Sequence, residues 1–269
     1  MLGNITIGQF FPGNSFIHSM DPRVKILLTI ILLVDVFVSK GFIGFAIILL
    51  FVLLCAKSTK IGLGYVIRGV KPIIFIAVFT FVLNIFMQSS GTVLFSWRFI
   101  TITTGGLRKA IYMALRLILL VMASQLLTLT TSSTSLTDGM EAILKPTSKI
   151  GIPVHEIAMM MSIALRFIPT LIEETDKITN AQKARGADFE SGNLIKKAKA
   201  LVPLLVPLFV SAFRRADELA NAMEARCYHG GKNRTRMKVM RMGKNDFIAI
   251  ASVVCLTAAI IALNVLGAF

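Results

Sequence analysis

Residues 247–269 read FIAIASVVCLTAAIIALNVLGAF, 23 residues without a charge. As a helix this stretch is about 35 Å long, enough to cross the ~30 Å hydrocarbon core of a bilayer. Four more apolar segments precede it: Val24–Ser39, Phe42–Ala56, Pro72–Met87 and Ala110–Leu129. With 55% hydrophobic residues over 269 positions and a mean hydropathy of +0.76, the chain is expected to be an integral membrane protein. The first two segments are short against the usual ~20 residues, and only Lys40-Gly41 separates them. Two short helices with a tight turn fit this best; a re-entrant hairpin is the alternative.

Charge sets the expected orientation. Arg23 and Lys25 precede the first segment, and Lys57, Lys60, Arg68 and Lys71 follow the second, so both flanks are assigned to the cytoplasm. The loop after the third segment, with Arg98, Arg108 and Lys109, falls outside. Of the 29 Lys and Arg residues, 18 lie between Thr131 and Asp246, which puts that region inside and the C-terminus outside. The net charge of +15 thus flanks apolar runs and suits anionic lipid better than nucleic acid. Met1–Met20 has no basic region followed by an apolar core, so no cleavable signal peptide is expected.

The basic region has its own helical pattern. Ser135–Leu144 forms a short helix that Pro146 ends. Pro153 opens a second helix that runs to Arg185, with Gly186 as a left-handed cap. A third runs from about Leu194 to Arg226, before Gly230-Gly231 and the basic tail Lys232–Lys244. Ile157–Leu165 and Ala200–Phe213 are apolar but short for spans, and are expected in or beneath the inner interface. Pro203 and Pro207, four apart, predict a bend in the third helix. The expected architecture is all-α: about five transmembrane helices plus a cytoplasmic coupling region of about three helices, two of them long and crossing. The corresponding regions are 1–130, 131–243 and 244–269.

Few residues point to chemistry. Asp21 suits an N-cap, with Pro22 in the first turn and Arg23 and Lys25 anchoring at the interface. Asp35 and Arg116 are charges within apolar runs and could pair with each other. Glu173, Glu174 and Asp176, with Asp217 and Glu218, form two acidic clusters. Paired carboxylates can hold magnesium and a diphosphate, so a membrane-embedded transferase is the alternative reading. Such enzymes need tightly spaced aspartates; here a solvated helix face paired with Lys177, Arg214 and Arg215 accounts for the pattern. No nucleotide-binding loop appears. Cys55, Cys227 and Cys255 are scattered, and His18, His155 and His229 lack partners at ligand spacing, so no metal site, cofactor or catalytic residue is expected.

Two triplets stand apart: Ala184-Arg185-Gly186 and Ala225-Arg226-Cys227. Each sets one arginine between small residues at a helix end. A single such arginine is readily explained as a cation at a helix C-terminus. Two of them, on consecutive helices, imply a shared role, because small neighbours let a guanidinium enter a cleft and fork onto a carboxylate. Met159-Met160-Met161 offers an adaptable apolar surface.

With Asp21-Pro22-Arg23 and Lys25, Arg166-Phe167-Ile168-Pro169, Ala181-Gln182-Lys183-Ala184-Arg185-Gly186, Arg215-Ala216-Asp217-Glu218-Leu219-Ala220 and Ala222-Met223-Glu224-Ala225-Arg226, the chain resembles, over nearly its whole length, the transmembrane T component of energy-coupling factor (ECF) transporters. Cys227 departs from the Gly or Ser more usual there but stays small. The resemblance implies a non-catalytic subunit of a bacterial or archaeal cell membrane, taking up vitamins or other micronutrients. Its cytoplasmic helices would couple two ABC-type ATPases to a substrate-binding S component. Each triplet would dock in one ATPase; Met159, Met160, Met161, Pro203 and Pro207 would face the S component.

Overall fold

The computed structural model describes residues 10–87, 92–97, 100–187, 189, 193–231 and 239–266. The tail 232–238 and the end of the last apolar segment, 267–269, lie outside them. The chain divides into two compact units, one of residues 8–140 with 239–269, the other of 141–238 with the first seven residues.

The larger unit carries α1 (Pro22–Val38), α2 (Phe42–Ser58), α3 (Leu63–Met87), α4 (Thr104–Thr130), most of α5 (Ser133–Leu144) and α8 (Lys244–Val265). Its core is a seam of side chains from several helices, with Val36, Ile48, Val52, Leu119 and Ile260 almost wholly buried. The outward positions are apolar too; Phe75 is 79% exposed. A helix apolar all round suits lipid rather than water. Three helices here, α3, α4 and α8, are long and apolar enough to cross a membrane.

Helices α1 and α2 are short, 17 residues each, and two contacts set α1 against α4. Lys25 Nζ donates to the Thr130 carbonyl at 3.0 Å, and Arg116 Nη2 to that of Ser39 at 3.4 Å. These contacts pin α1 alongside residues 116–130 of α4. The preceding 12 residues of α4 project about 18 Å past the α1–α2 turn. Ser39-Lys40-Gly41 makes that turn, so the pair is two separate helices. The turn is tight enough that a Cβ at Gly44 would run into Ser39 Oγ. Asn264 of α8 closes it, donating to the Val38 carbonyl at 3.0 Å and accepting from the Lys40 amide at 3.4 Å.

The third apolar segment, Pro72–Met87, is the latter part of a longer helix; Pro72 lies nine residues inside α3. Gly69 lies so close to the Gln125 side chain that a Cβ there would stand 2.6 Å from it, and this packing against α4 carries the helix back to Leu63. The segment between α3 and α4 is not a plain loop. Val93–Trp97 and Ile100–Thr103 form an antiparallel hairpin (β1, β2), with Val93 opposite Thr103 and Trp97 opposite Ile100.

The smaller unit holds a 3-10 segment (Lys145–Ile150), α6 (Val154–Ala184) and α7 (Leu194–Ala225). Both long helices remain helical through interior prolines, Pro169 in α6 and Pro203 and Pro207 in α7. Although expected beneath the membrane, α6 is itself long and apolar enough to cross one. It packs against α7, and both helices leave large apolar side chains uncovered, among them Met160 (58% exposed), Phe209 (61%) and Phe213 (70%).

Candidate functional site

The two arginine triplets have the same backbone geometry. In each, the arginine is the C-cap, immediately after the last helical residue Ala184 or Ala225, and the next residue is left-handed: Gly186 at φ 88° and Cys227 at φ 54°. The Gly186 amide donates to the Lys183 carbonyl at 2.9 Å and that of Ala187 to Gln182 at 3.0 Å. At the second tip Cys227 donates to Glu224 at 2.8 Å and Tyr228 to Met223 at 3.0 Å. This pair of reversed bonds is the Schellman motif, which satisfies carbonyls a helix end leaves unbonded. The chain therefore turns away immediately behind each arginine.

All six triplet residues are exposed. Among the described residues no hydrogen bond or ion pair engages the guanidinium of Arg185 or Arg226; only their backbone amides bond, to the Gln182 and Met223 carbonyls. Each guanidinium is thus a free cation, next to a small residue on either side, at the end of a long rigid element.

The left-handed residue explains why a small side chain follows each arginine. Gly adopts this conformation freely; a Cβ-bearing residue costs roughly 1 kcal/mol there. Cys227→Gly is therefore expected to raise stability by up to about 1 kcal/mol, and Gly186→Ala to lower it by about the same. Thermal unfolding in detergent reads both. A lowered midpoint for Cys227→Gly would show that no strain is held there.

Further back, Arg215 Nη2 lies 3.2 Å from Glu174 Oε2. The pair is about 30% exposed on both sides, so it adds at most about 1 kcal/mol. Its placement matters more than its strength. Glu174 precedes Arg185 by 11 residues and Arg215 precedes Arg226 by 11, so α6 and α7 meet at a point about 16 Å along each helix from its tip. The acidic cluster of the transferase reading is thus partly used in helix pairing, and no three His, Cys, Asp or Glu side chains converge for a metal among the described residues.

In the larger unit, Asp21 caps α1, accepting the Arg23 amide at 2.9 Å, as its sequence position predicts. The two following cations do not simply anchor at an interface. Arg23 forks onto Asp21 at 2.8 Å and reaches the Met240 carbonyl at 3.0 Å. Lys25 is 6% exposed and bonds the carbonyls of His18 and Thr130. Asp246 accepts the Asp21 amide at 2.8 Å and the Gly243 amide at 2.7 Å. Burial pushes the Asp21 carboxyl up. Hydrogen bonds from Arg23, with the charges of Arg23 and Lys25, outweigh this and hold it below the usual carboxylate value. The sequence reading missed Asp246; an acid three residues after Gly243, just before an apolar run, is its capping-box signal.

Asp35 and Arg116 do not pair. Asp35 is 2% exposed and accepts from Thr257 Oγ1 of α8 at 2.8 Å. Arg116 lies 5.8 Å from the ring centres of both Phe37 and Phe45. Asp35 thus turns to α8 while Arg116 faces rings of α1 and α2, and its buried Nε has no hydrogen-bond partner among the described residues.

Residues 13–237 match the family model described as CbiQ, cobalt transport protein. The chain belongs to this family. Among its relatives is the energy-coupling factor transporter transmembrane protein EcfT of Clostridium kluyveri, 58% identical over 250 residues, covering 93% of each chain. The protein of the same name from Ruminiclostridium cellulolyticum is 54% identical over 248 residues, 92% of each chain. That of Bacillus subtilis is 46% identical over 258 residues, 96% of this chain and 97% of its own. This CbiQ-family chain is accordingly a multi-pass transport protein of the membrane and not an enzyme. The resemblance read from its motifs holds.

Proposed function

We propose that this chain is the coupling subunit of an ECF importer, passing ATP-driven motion of two ABC-type ATPases to a substrate-binding S component in the membrane. The observation that carries this is the duplicated tip: Arg185 and Arg226, each free, each ending a long helix in the same Schellman turn, at equal distances from the Glu174–Arg215 contact. Two equivalent cations suit two equivalent acidic clefts. Ala184, Gly186, Ala225 and Cys227 give each guanidinium room to enter. Packed helices move as units, so force on either tip reaches the whole α6–α7 pair.

In this reading residues 131–243 lie on the cytoplasmic side, the N-terminus is inside and the C-terminus outside. The positive charge of that region opposes its export. The uncovered apolar surface of α6 and α7, including Met159, Met160, Met161, Pro203 and Pro207, is the S-component platform. A patch of this kind marks an interface or a membrane contact, and methionine suits a surface meeting more than one partner. The cargo is a vitamin or other micronutrient that the S component selects.

Affinity purification of the tagged chain from its native membrane tests the reading. Two ATPase polypeptides and at least one small membrane protein are expected to co-purify. The ATPases should remain bound through a wash at about 0.5 M salt, because buried ion pairs are poorly screened. Recovery of the chain without ATPases from gently solubilised membranes would overturn the assignment.

A further inference from the structure

A cavity of about 270 Å³ opens in the larger unit between α1, α2, α4 and α8. Its wall is largely apolar, with Leu28, Leu32, Phe51, Leu126 and Val253 among the lining residues, and among the described residues Lys25 is the only charged side chain in it. The wall's serine and threonine hydroxyls offer little to a guest. Those of Thr29, Ser58 and Ser252 already donate to carbonyls of their own helices, at 2.7, 2.9 and 2.8 Å.

Lys25 differs. An ammonium has three donors, and two are taken, by the His18 carbonyl at 3.2 Å and the Thr130 carbonyl at 3.0 Å. One donor is left on a cation that is 94% buried, given its 6% exposure. A buried charge is costly while any of its donors is left unpaired. The nearby carboxylates are engaged elsewhere: Asp21 by Arg23, Asp246 by two backbone amides. The site thus offers an apolar sleeve with one unfilled cationic donor at the end where α1 begins and α4 ends.

We propose that this cavity holds the headgroup-proximal part of one acyl chain of an anionic phospholipid, drawn from the leaflet around the α1 N-terminus, with its phosphate end at Lys25. The occupant must be long, apolar and negatively charged at one end, and a chain lying in a bilayer is surrounded by such molecules. The lipid would fill the space between four helices and complete the bonding of Lys25. The inference needs only the membrane placement, not the coupling function.

Tryptophan quenching tests it. The chain has one tryptophan, so Trp97→Phe gives a silent background for Leu127→Trp in the cavity wall and, separately, Phe75→Trp on the outward face. Each protein is placed in phosphatidylcholine nanodiscs containing increasing brominated phosphatidylglycerol or brominated phosphatidylcholine. At position 127, quenching should saturate near one lipid per chain, with the phosphatidylglycerol half-point about tenfold lower, as one charge-assisted hydrogen bond would give. At position 75, quenching should follow bulk mole fraction for both lipids. Adding Ser252→Phe, which narrows the cavity, should abolish the saturable phase at 127. Should that variant fail to fold, mass spectrometry of the unaltered chain in mild detergent decides, with one retained phosphatidylglycerol expected. Position 127 unquenched, quenched in proportion to bulk lipid, or quenched equally by both lipids would overturn the proposal, as would the unaltered chain without lipid.

Discussion

Arg185→Glu combined with Arg226→Glu should leave the chain intact in the membrane but stripped of its ATPases. Each arginine is exposed and unpartnered in the isolated chain, so reversing its charge removes no internal contact. Loss of the cation from its helix C-terminus costs under about 1 kcal/mol. The loss falls on docking. A glutamate pressed against an acidic cleft replaces attraction by repulsion, at several kcal/mol per tip. Each single change should weaken ATPase binding by about thirtyfold or more, which corresponds to roughly 2 kcal/mol. The double change should abolish co-purification and transport together. Arg185→Lys is a finer probe: it keeps the charge but loses the forked geometry, so an intermediate loss marks a paired contact with a carboxylate. Glu174→Gln is the control. It breaks a half-exposed pair away from the tips and should alter binding by no more than about 1 kcal/mol. A double mutant that still carries both ATPases and transports normally would remove the basis for the proposed function.

The ends of the long helices were legible because local chemistry sets them. Pro153 and Gly186 bracket α6, and the structure starts and ends the helix beside them. The cap at Asp21 was equally local. What depended on neighbouring helices was not legible. The apolar run begins at Pro72, which lacks the amide that would bond Arg68, yet α3 extends back to Leu63, with Gly69 packed against Gln125 of α4. Asp35 and Arg116 looked like a pair because both are charges in apolar runs. Their fate depends on the rotation of α1, which turns Asp35 to Thr257 of α8 and gives Arg116 the Ser39 carbonyl. The β1–β2 hairpin left a trace, the β-branched run Ile100-Thr101-Ile102-Thr103, that the surrounding helices outweighed. Of the site, the arginines and their small neighbours could be read directly. The reason for the neighbours, a left-handed residue behind each arginine, required the backbone.

The second large effect is expected at Asp246, in the larger unit. Its carboxylate is 2% exposed and accepts two amides, one beginning α8 and one beginning α1. Asp246→Ala would leave both amides without that acceptor, inside a packed bundle. Removing one member of a buried charged network costs roughly 3–5 kcal/mol, far above the typical point change of about 1 kcal/mol. The unfolding midpoint in detergent should fall sharply, with loss of the α1–α8 contact visible as faster hydrogen exchange at the start of both helices. Asp246→Asn keeps one acceptor oxygen and should cost less than half as much. The same cluster predicts acid sensitivity. Asp21 has a carboxyl held below its ordinary value, so its contribution is complete above the unfolded carboxylate range and fades as pH falls through the lower folded value. Asp21→Asn should flatten that acid limb of the stability profile while lowering stability at neutral pH. An unchanged acid limb would mean that other carboxylates set it, and a small effect of Asp246→Ala would mean that water reaches the cluster and replaces the lost acceptor.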